Sequence, residues 1–138
     1  NKNTISSLLR FAYYYFDYLL GQVYLYFRYT LWGTHILYDR YFFDFIVDSR
    51  RSNIKINPAF ARQLYKLVYK PDFNFFLFAS PEHILARKQE LKKEDIMSLT
   101  ENYQQLFQAF KQPDRYQCIE NLRLENTMEK IKTTINLN

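Results

Sequence analysis

Glycine is almost missing from this chain: two residues in 138, Gly21 and Gly33. Tight turns and close backbone approach to a ligand therefore have few places to occur. Neither glycine precedes Lys-Ser or Lys-Thr, so no glycine-rich phosphate loop of the form G-x-x-x-x-G-K-[ST] is present. A single cysteine, Cys118, excludes an internal disulfide and fits a reducing compartment, here read as the cytoplasm. The two histidines, His35 and His83, are far apart and have no Cys or His neighbour, so no metal-ligand spacing exists. No short apolar stretch ends at a small-residue cleavage site, and no signal peptide is read.

What is abundant is aromatic. Thirteen Tyr and thirteen Phe bring the aromatic share to 20%, which argues against disorder. Tyr at many apolar positions gives a core with polar tips, and each buried hydroxyl needs a partner. The net charge of +5 favours anionic partners such as nucleotides, nucleic acid or acidic lipid without choosing among them. The length suits one domain with a real core, and no internal boundary is read.

Residues 5–30 read as one long helix, with Leu8, Leu9, Ala12, Phe16, Leu19, Leu20 and Val23 recurring at helical spacing. Its apolar density approaches that of a membrane span, but Asp17, Arg28 and the many Tyr argue for a helix buried along a sheet, and no membrane partner is expected. His35–Tyr38 reads as a short strand and Phe42–Val47 as a helical piece. Asn57-Pro58 is a strong helix start, since Asn caps free amides and Pro fits the first turn; that helix is expected to reach about Tyr69. Phe73–Phe78 is a nearly continuous apolar run, as in a parallel strand covered on both faces. Ser80-Pro81-Glu82 opens a helix to Arg87 or beyond, and the charged stretch Lys88–Asp95 is expected to be exposed. A further helix carries Ile96, Leu99, Tyr103, Leu106, Phe107 and Phe110; Tyr116–Leu122 reads as a third strand. Asn126-Thr127-Met128-Glu129 resembles a capping box ahead of a last helix. Strands separated by helices imply an α/β fold with parallel pairing, about three strands in all.

The block Ile36-Leu37-Tyr38-Asp39-Arg40-Tyr41 runs from apolar residues into an acid and a base. At the carboxyl edge of a parallel sheet, where ligands bind, Asp39 could orient hydrated Mg²⁺ and Arg40 could fork onto phosphate oxygens. The competing role is an ion pair or a helix-start carboxylate. Arg87 and Lys88, with Lys92 and Lys93 beyond, could close over phosphates, or they could complement a helix dipole. Arg50 and Arg51 could hold an acceptor phosphate or lie on the surface. Arg62, Lys66 and Lys70 sit at four-residue steps, a basic face that is more often solvated than bound to nucleic acid, and no nucleic-acid partner is expected. Tyr13, Tyr14, Tyr15, Phe42 and Phe43 could stack on a base or pack a core.

Taken together, "HILYDRYFFDFIVDSRR" and "KPDFNFFLFASPEHILARKQE" resemble the thymidylate kinase family, most closely its thymidylate kinase-like members, over roughly residues 5 to 135. That family shows an apolar strand ending in Asp-Arg-Tyr, a later strand led by Pro-Asp, and a Pro-Glu helix running into Ala-Arg. The resemblance implies a P-loop, three-layer phosphotransferase fold acting with ATP and Mg²⁺ on a nucleoside monophosphate. It implies Asp39 as the magnesium-side acid, Arg40 as the phosphate-positioning base, Tyr41 as the following aromatic and Arg87 as the arginine that begins a lid continued by Lys88, Lys92 and Lys93. Arg10 falls near the family's acceptor-phosphate arginine. The family's first strand and phosphate loop have no counterpart here, so the chain is expected to correspond to the C-terminal two thirds of such a kinase and to be inactive alone. The lysines in the lid depart from the family's arginines and leave the acceptor open. The alternative is a binding or interaction module that kept the fold without the phosphate loop, with exposed apolar surface favouring a homodimer.

Overall fold

The computed structural model describes residues 2–39, 41–48, 56–87 and 91–135. The chain forms two compact units, Asn1–Lys70 and Pro71–Asn138.

The first unit is helical. Helix α1 spans Lys2–Arg28, and a 3₁₀ turn at Thr30–Trp32 ends on Gly33. Gly33 takes φ 72°, a left-handed conformation that costs glycine nothing, and its N–H donates to the Thr30 carbonyl. Helix α2 is Phe43–Val47, and helix α3 is Pro58–Leu64 with a 3₁₀ turn at Tyr65–Leu67. The start of α3 is set locally: Asn57 Oδ1 accepts from the Ala59 N–H at 2.8 Å, with Pro58 in the first turn.

The core of this unit is made of rings. Phe42 is fully buried, with Phe11, Tyr15, Phe43, Ile46, Ala61, Tyr65 and Val68 around it. Phe42 stacks on Tyr65 at 5.8 Å between centroids and meets Tyr15 edge-on at 5.9 Å. The Tyr15 hydroxyl leaves this core to donate to the Leu64 carbonyl at 3.1 Å, as a buried phenol requires.

The second unit holds the sheet. Strand β1, Asn74–Phe78, pairs in parallel with β2, Tyr116–Glu120, in the register Asn74 to Tyr116 through Phe78 to Glu120. Between them run α4, Pro81–Arg87, and α5, Lys93–Ala109; α6, Leu124–Thr134, follows β2. Helix α5 packs its aromatic face on the strands: Tyr103 stacks on Phe76 at 4.5 Å, and Phe110 on Tyr116 at 4.4 Å. The buried amide of Asn74 donates to the Arg115 carbonyl at 3.2 Å, while the Arg115 guanidinium donates to the carbonyls of Pro71 and Asp72. These bonds fix the entrance to both strands. Among the described residues the fold is therefore a mixed α/β arrangement, mostly helical, with one small parallel sheet.

Several expectations need correction. His35–Tyr38 is not a strand: among the described residues only β1 and β2 form a sheet, so the expected three strands become two. A strand exists only where a neighbour takes its amides, and no described residue pairs with this segment. Leu37 is accordingly 96% exposed. The face of α1 read as buried is the open one, since Leu8, Leu9, Phe16, Leu20 and Val23 are exposed while Ser7, Phe11, Tyr15 and Gln22 are buried. Strand β1 is not covered on both faces, because Leu77 remains exposed. Helix α3 stops at Leu64, so Arg62, Lys66 and Lys70 share no continuous helical face. Helix α5 begins at Lys93, inside the charged stretch Lys88–Asp95, whose described residues Leu91–Asp95 are exposed as expected. Helix α6 begins at Leu124, so Asn126 lies within it and is not its cap. Thr127 is buried there, its hydroxyl shared between Asn121 Oδ1 at 3.0 Å and the Arg123 carbonyl at 3.1 Å.

Candidate functional site

In the first unit the chain leaves Gly33 without regular structure, bends at Asp39 and reaches α2 through Tyr41 and Phe42. Asp39 is exposed. Tyr41, two residues on, is a hub of rings: Tyr18 and Tyr38 each lie 5.7 Å away, Phe43 5.2 Å and Tyr65 6.3 Å. Its hydroxyl donates to the Tyr69 carbonyl. Gln22 reaches the same carbonyl from α1, with Nε2 donating at 3.2 Å, and its Oε1 accepts from the Tyr69 N–H at 3.0 Å. One buried side-chain amide thus satisfies both backbone groups of Tyr69. Lys70, next in the chain, holds its ammonium 5.7 Å from the Tyr65 ring centroid, within cation–π range.

The phenols around Tyr41 are held neutral. Burial raises Tyr18 far above the usual phenol range, and the neighbouring Tyr41 and Tyr38 oppose a second negative charge. Burial, and then Tyr69, raise Tyr38. The Tyr18 hydroxyl is buried beside the Tyr41 side chain and the Phe42 backbone, and both act on its ionisation. This cluster is a rigid, uncharged aromatic anchor for the segment that carries Asp39. It offers ring faces and a single exposed carboxylate.

Arg10 lies exposed on α1. Arg40, Arg50, Arg51 and Lys88 lie outside the described residues. In the second unit, Arg87 is the exposed last residue of α4, where its charge complements the helix dipole, and Lys92 is the residue before α5. Lys93 is engaged: its Nζ lies 2.6 Å from Glu82 Oε1, joining the first turns of α4 and α5. That contact holds the Glu82 carboxyl below its ordinary range and the Lys93 ammonium above its own. An open cleft of about 640 Å³ between β2 and α6 is lined by Gln117, Asn126, Glu129, Lys130, Thr133 and Thr134, and includes none of the residues singled out from the sequence. Cys118 is exposed on β2, and partial desolvation raises its thiol.

Among the described residues no three His, Cys, Asp or Glu side chains gather as a metal cluster. No described helix is long and apolar enough to cross a membrane.

The residue that sequence reasoning missed is Gln22. Its signal was available: it falls on the same helical stripe as Phe11, Tyr15 and Tyr18, and an amide on a stripe of rings needs backbone partners. No family model, curated protein or solved structure matches this chain.

Proposed function

We propose that these residues belong to a thymidylate kinase-like phosphotransferase that moves the γ-phosphoryl of ATP to a nucleoside monophosphate. The observation that carries the reading is the parallel pairing of β1 with β2 around α4 and α5. The strand led by Pro71-Asp72 hands the chain to a helix that opens on Pro81-Glu82 and ends on Ala86-Arg87, the order the resemblance requires. A two-stranded parallel sheet is also unusual by itself, since parallel sheets are ordinarily larger and covered on both faces. It fits best as part of a wider sheet.

In this reading Arg40 steadies the transferring phosphoryl, and Arg87 closes on the donor with Lys88 and Lys92. Arg10, Arg50 and Arg51 receive the acceptor phosphate. Tyr41 contributes its ring, because its hydroxyl is committed to the Tyr69 carbonyl. Lys93 contributes only by giving up Glu82. Mg²⁺, when bound beside nucleotide phosphates, offsets their charge, and Asp39 would hold it through water. Catalysis of this kind is positioning and charge stabilisation. It requires a phosphate loop from residues other than these 138, and the chain by itself is expected not to turn over ATP.

The test is transfer from γ-labelled ATP to each deoxynucleoside monophosphate by the product of the natural coding region that contains these residues. Label should appear on an acceptor and fall by roughly 100-fold or more with Arg40→Ala. A folded product that labels no acceptor overturns the reading. That outcome would leave the second reading, a non-catalytic interaction module, which the exposed apolar face of α1 favours.

A further inference from the structure

The two units divide the chain's charge and its open rings unequally. Residues 1–70 hold ten Lys and Arg against four acids, and residues 71–138 hold nine against ten. Of the eleven exposed aromatic residues among the described ones, ten lie in the first unit and Phe73 alone in the second. Surplus positive charge and open rings thus fall in the same part of the chain. That pairing suits a flexible polyanion that carries flat groups.

Both features are dense where α1 ends. Tyr26 and Tyr29 lie on the side of α1 that buries Gln22 one turn earlier, and Trp32 follows in the 3₁₀ turn. Past Gln22 that side opens: Tyr26 and Tyr29 are exposed, and Trp32 is 79% exposed. Tyr69 joins from the other end of the unit, its ring 6.2 Å from that of Tyr26. Cations flank these rings. The Arg28 guanidinium lies 5.4 Å from the Tyr29 centroid, and Lys66 and Lys70 stand exposed on either side of Tyr69 in the sequence. No acid occurs from residue 18 to residue 38, or from 56 to 70. Spacing alone reads Lys66 and Lys70 as part of a solvated row; the open rings beside them are what solvation does not explain.

The chemistry of the partner follows from the parts. Open ring faces stack on bases of any identity, and a duplex hides its base faces, so the strand is single. The row of rings contains no aliphatic side chain, whereas an amphipathic surface enters a bilayer with aliphatic and aromatic side chains alike. The phenol hydroxyls of Tyr26 and Tyr29 can exchange hydrogen bonds with a ribose 2′-hydroxyl, which DNA lacks.

Against the expectation from spacing, we propose that the end of α1 and Tyr69 bind single-stranded RNA without regard to sequence. Bases stack on Tyr69, Tyr26, Tyr29 and Trp32, and phosphates meet Arg28, Lys66 and Lys70. The side chains of this site are none of those assigned to phosphoryl transfer, so the proposal stands or falls separately from that reading.

Trp32 is the chain's one tryptophan, so its fluorescence reports stacking directly. The chain is titrated with a short unstructured RNA at low salt. Quenching of Trp32 is expected, with an affinity that falls with salt along a log–log slope of about −2, from about 0.7 for each of the three phosphate contacts. The same RNA as a duplex, the same sequence as single-stranded DNA, and a sugar–phosphate strand without bases should each bind several-fold more weakly. Trp32→Ala, read by anisotropy of labelled RNA, should weaken binding roughly 10-fold or more. Lys66→Gln with Lys70→Gln should flatten the slope by about 1.4. Circular dichroism confirms that the variants keep their fold. Four results would overturn the proposal. They are no RNA binding at low salt, including a chain that instead floats with anionic phospholipid vesicles; a strand without bases that binds as well as RNA, which would leave only attraction between charges; single-stranded DNA that binds as well as RNA; or RNA binding that Trp32→Ala leaves unchanged.

Discussion

The side-chain amide of Gln22 pairs with the backbone of Tyr69 in both directions, donating to its carbonyl at 3.2 Å and accepting from its N–H at 3.0 Å across 47 residues of sequence. This contact ties α1 to the end of the first unit at the point where Tyr41 also attaches. Replacing Gln22 with Leu roughly keeps the volume and removes both bonds, together with the 3.4 Å bond from Nε2 to the Tyr41 hydroxyl, leaving the Tyr69 N–H without its partner. The expected loss is about 1–2 kcal/mol, read as a lower midpoint in urea denaturation. An unchanged midpoint would mean that water satisfies Tyr69 equally well.

Tyr18 gives a prediction at the alkaline end. Its folded pKa is raised above the unfolded value of 10.0 by burial and by the phenols beside it. Below pH 10 both states are neutral and the contribution to stability is fully present. As pH rises past the unfolded value, the unfolded phenol ionises first and stability is lost. Tyr18→Phe removes this ionisable group. The variant should unfold at a higher pH in an alkaline titration followed by ultraviolet absorbance.

The Glu82–Lys93 pair is exposed on both sides, so its worth is small and screened by salt. Its titration is still readable. Lys93 lowers the Glu82 carboxyl chiefly by hydrogen bonding. The stabilisation is present above the unfolded carboxyl value of 4.5 and disappears as pH falls through the lower folded value. Lys93→Met should return the Glu82 midpoint to the ordinary carboxylate range in a ¹³C NMR titration. A midpoint that stays low would assign the shift to the helix start alone.

Lys111 follows α5 with φ 52°, in the left-handed region that favours glycine. Lys111→Gly should remove this strain and raise stability by about 0.5–1 kcal/mol, less the added freedom of the unfolded chain. Thermal melting measures it, and a lower melting temperature would show that the lysine side chain contributes more than its backbone costs.

The elements legible in the sequence are those whose cause is local. Asn57 caps α3 because its carboxamide and the Ala59 amide are two residues apart. Ser80-Pro81 opens α4 in the same way, with the Ser80 hydroxyl 3.4 Å from the His83 N–H. The run at β1 is apolar at strand length, and it found a parallel partner in β2 as expected. Asp39 and Arg40 were read as an acid–base couplet ahead of Tyr41, and Arg40 lies outside the described residues; the ring hub that holds Tyr41 was not legible, because Gln22, Tyr18, Tyr65 and Tyr69 come from distant positions.

Helical periodicity by itself determined that α1 exists and that apolar residues recur along it. It could not decide which of two apolar faces is covered, because burial depends on what lies opposite and not on the helix. Tertiary structure made that choice, covering Phe11 and Tyr15 and leaving Leu9, Phe16 and Leu20 open. The same holds for His35–Tyr38, whose residues are suited to a strand but whose amides have no described neighbour. Side-chain pattern sets what a segment is able to become; backbone hydrogen bonds and packing partners, supplied from elsewhere in the fold, decide what it is.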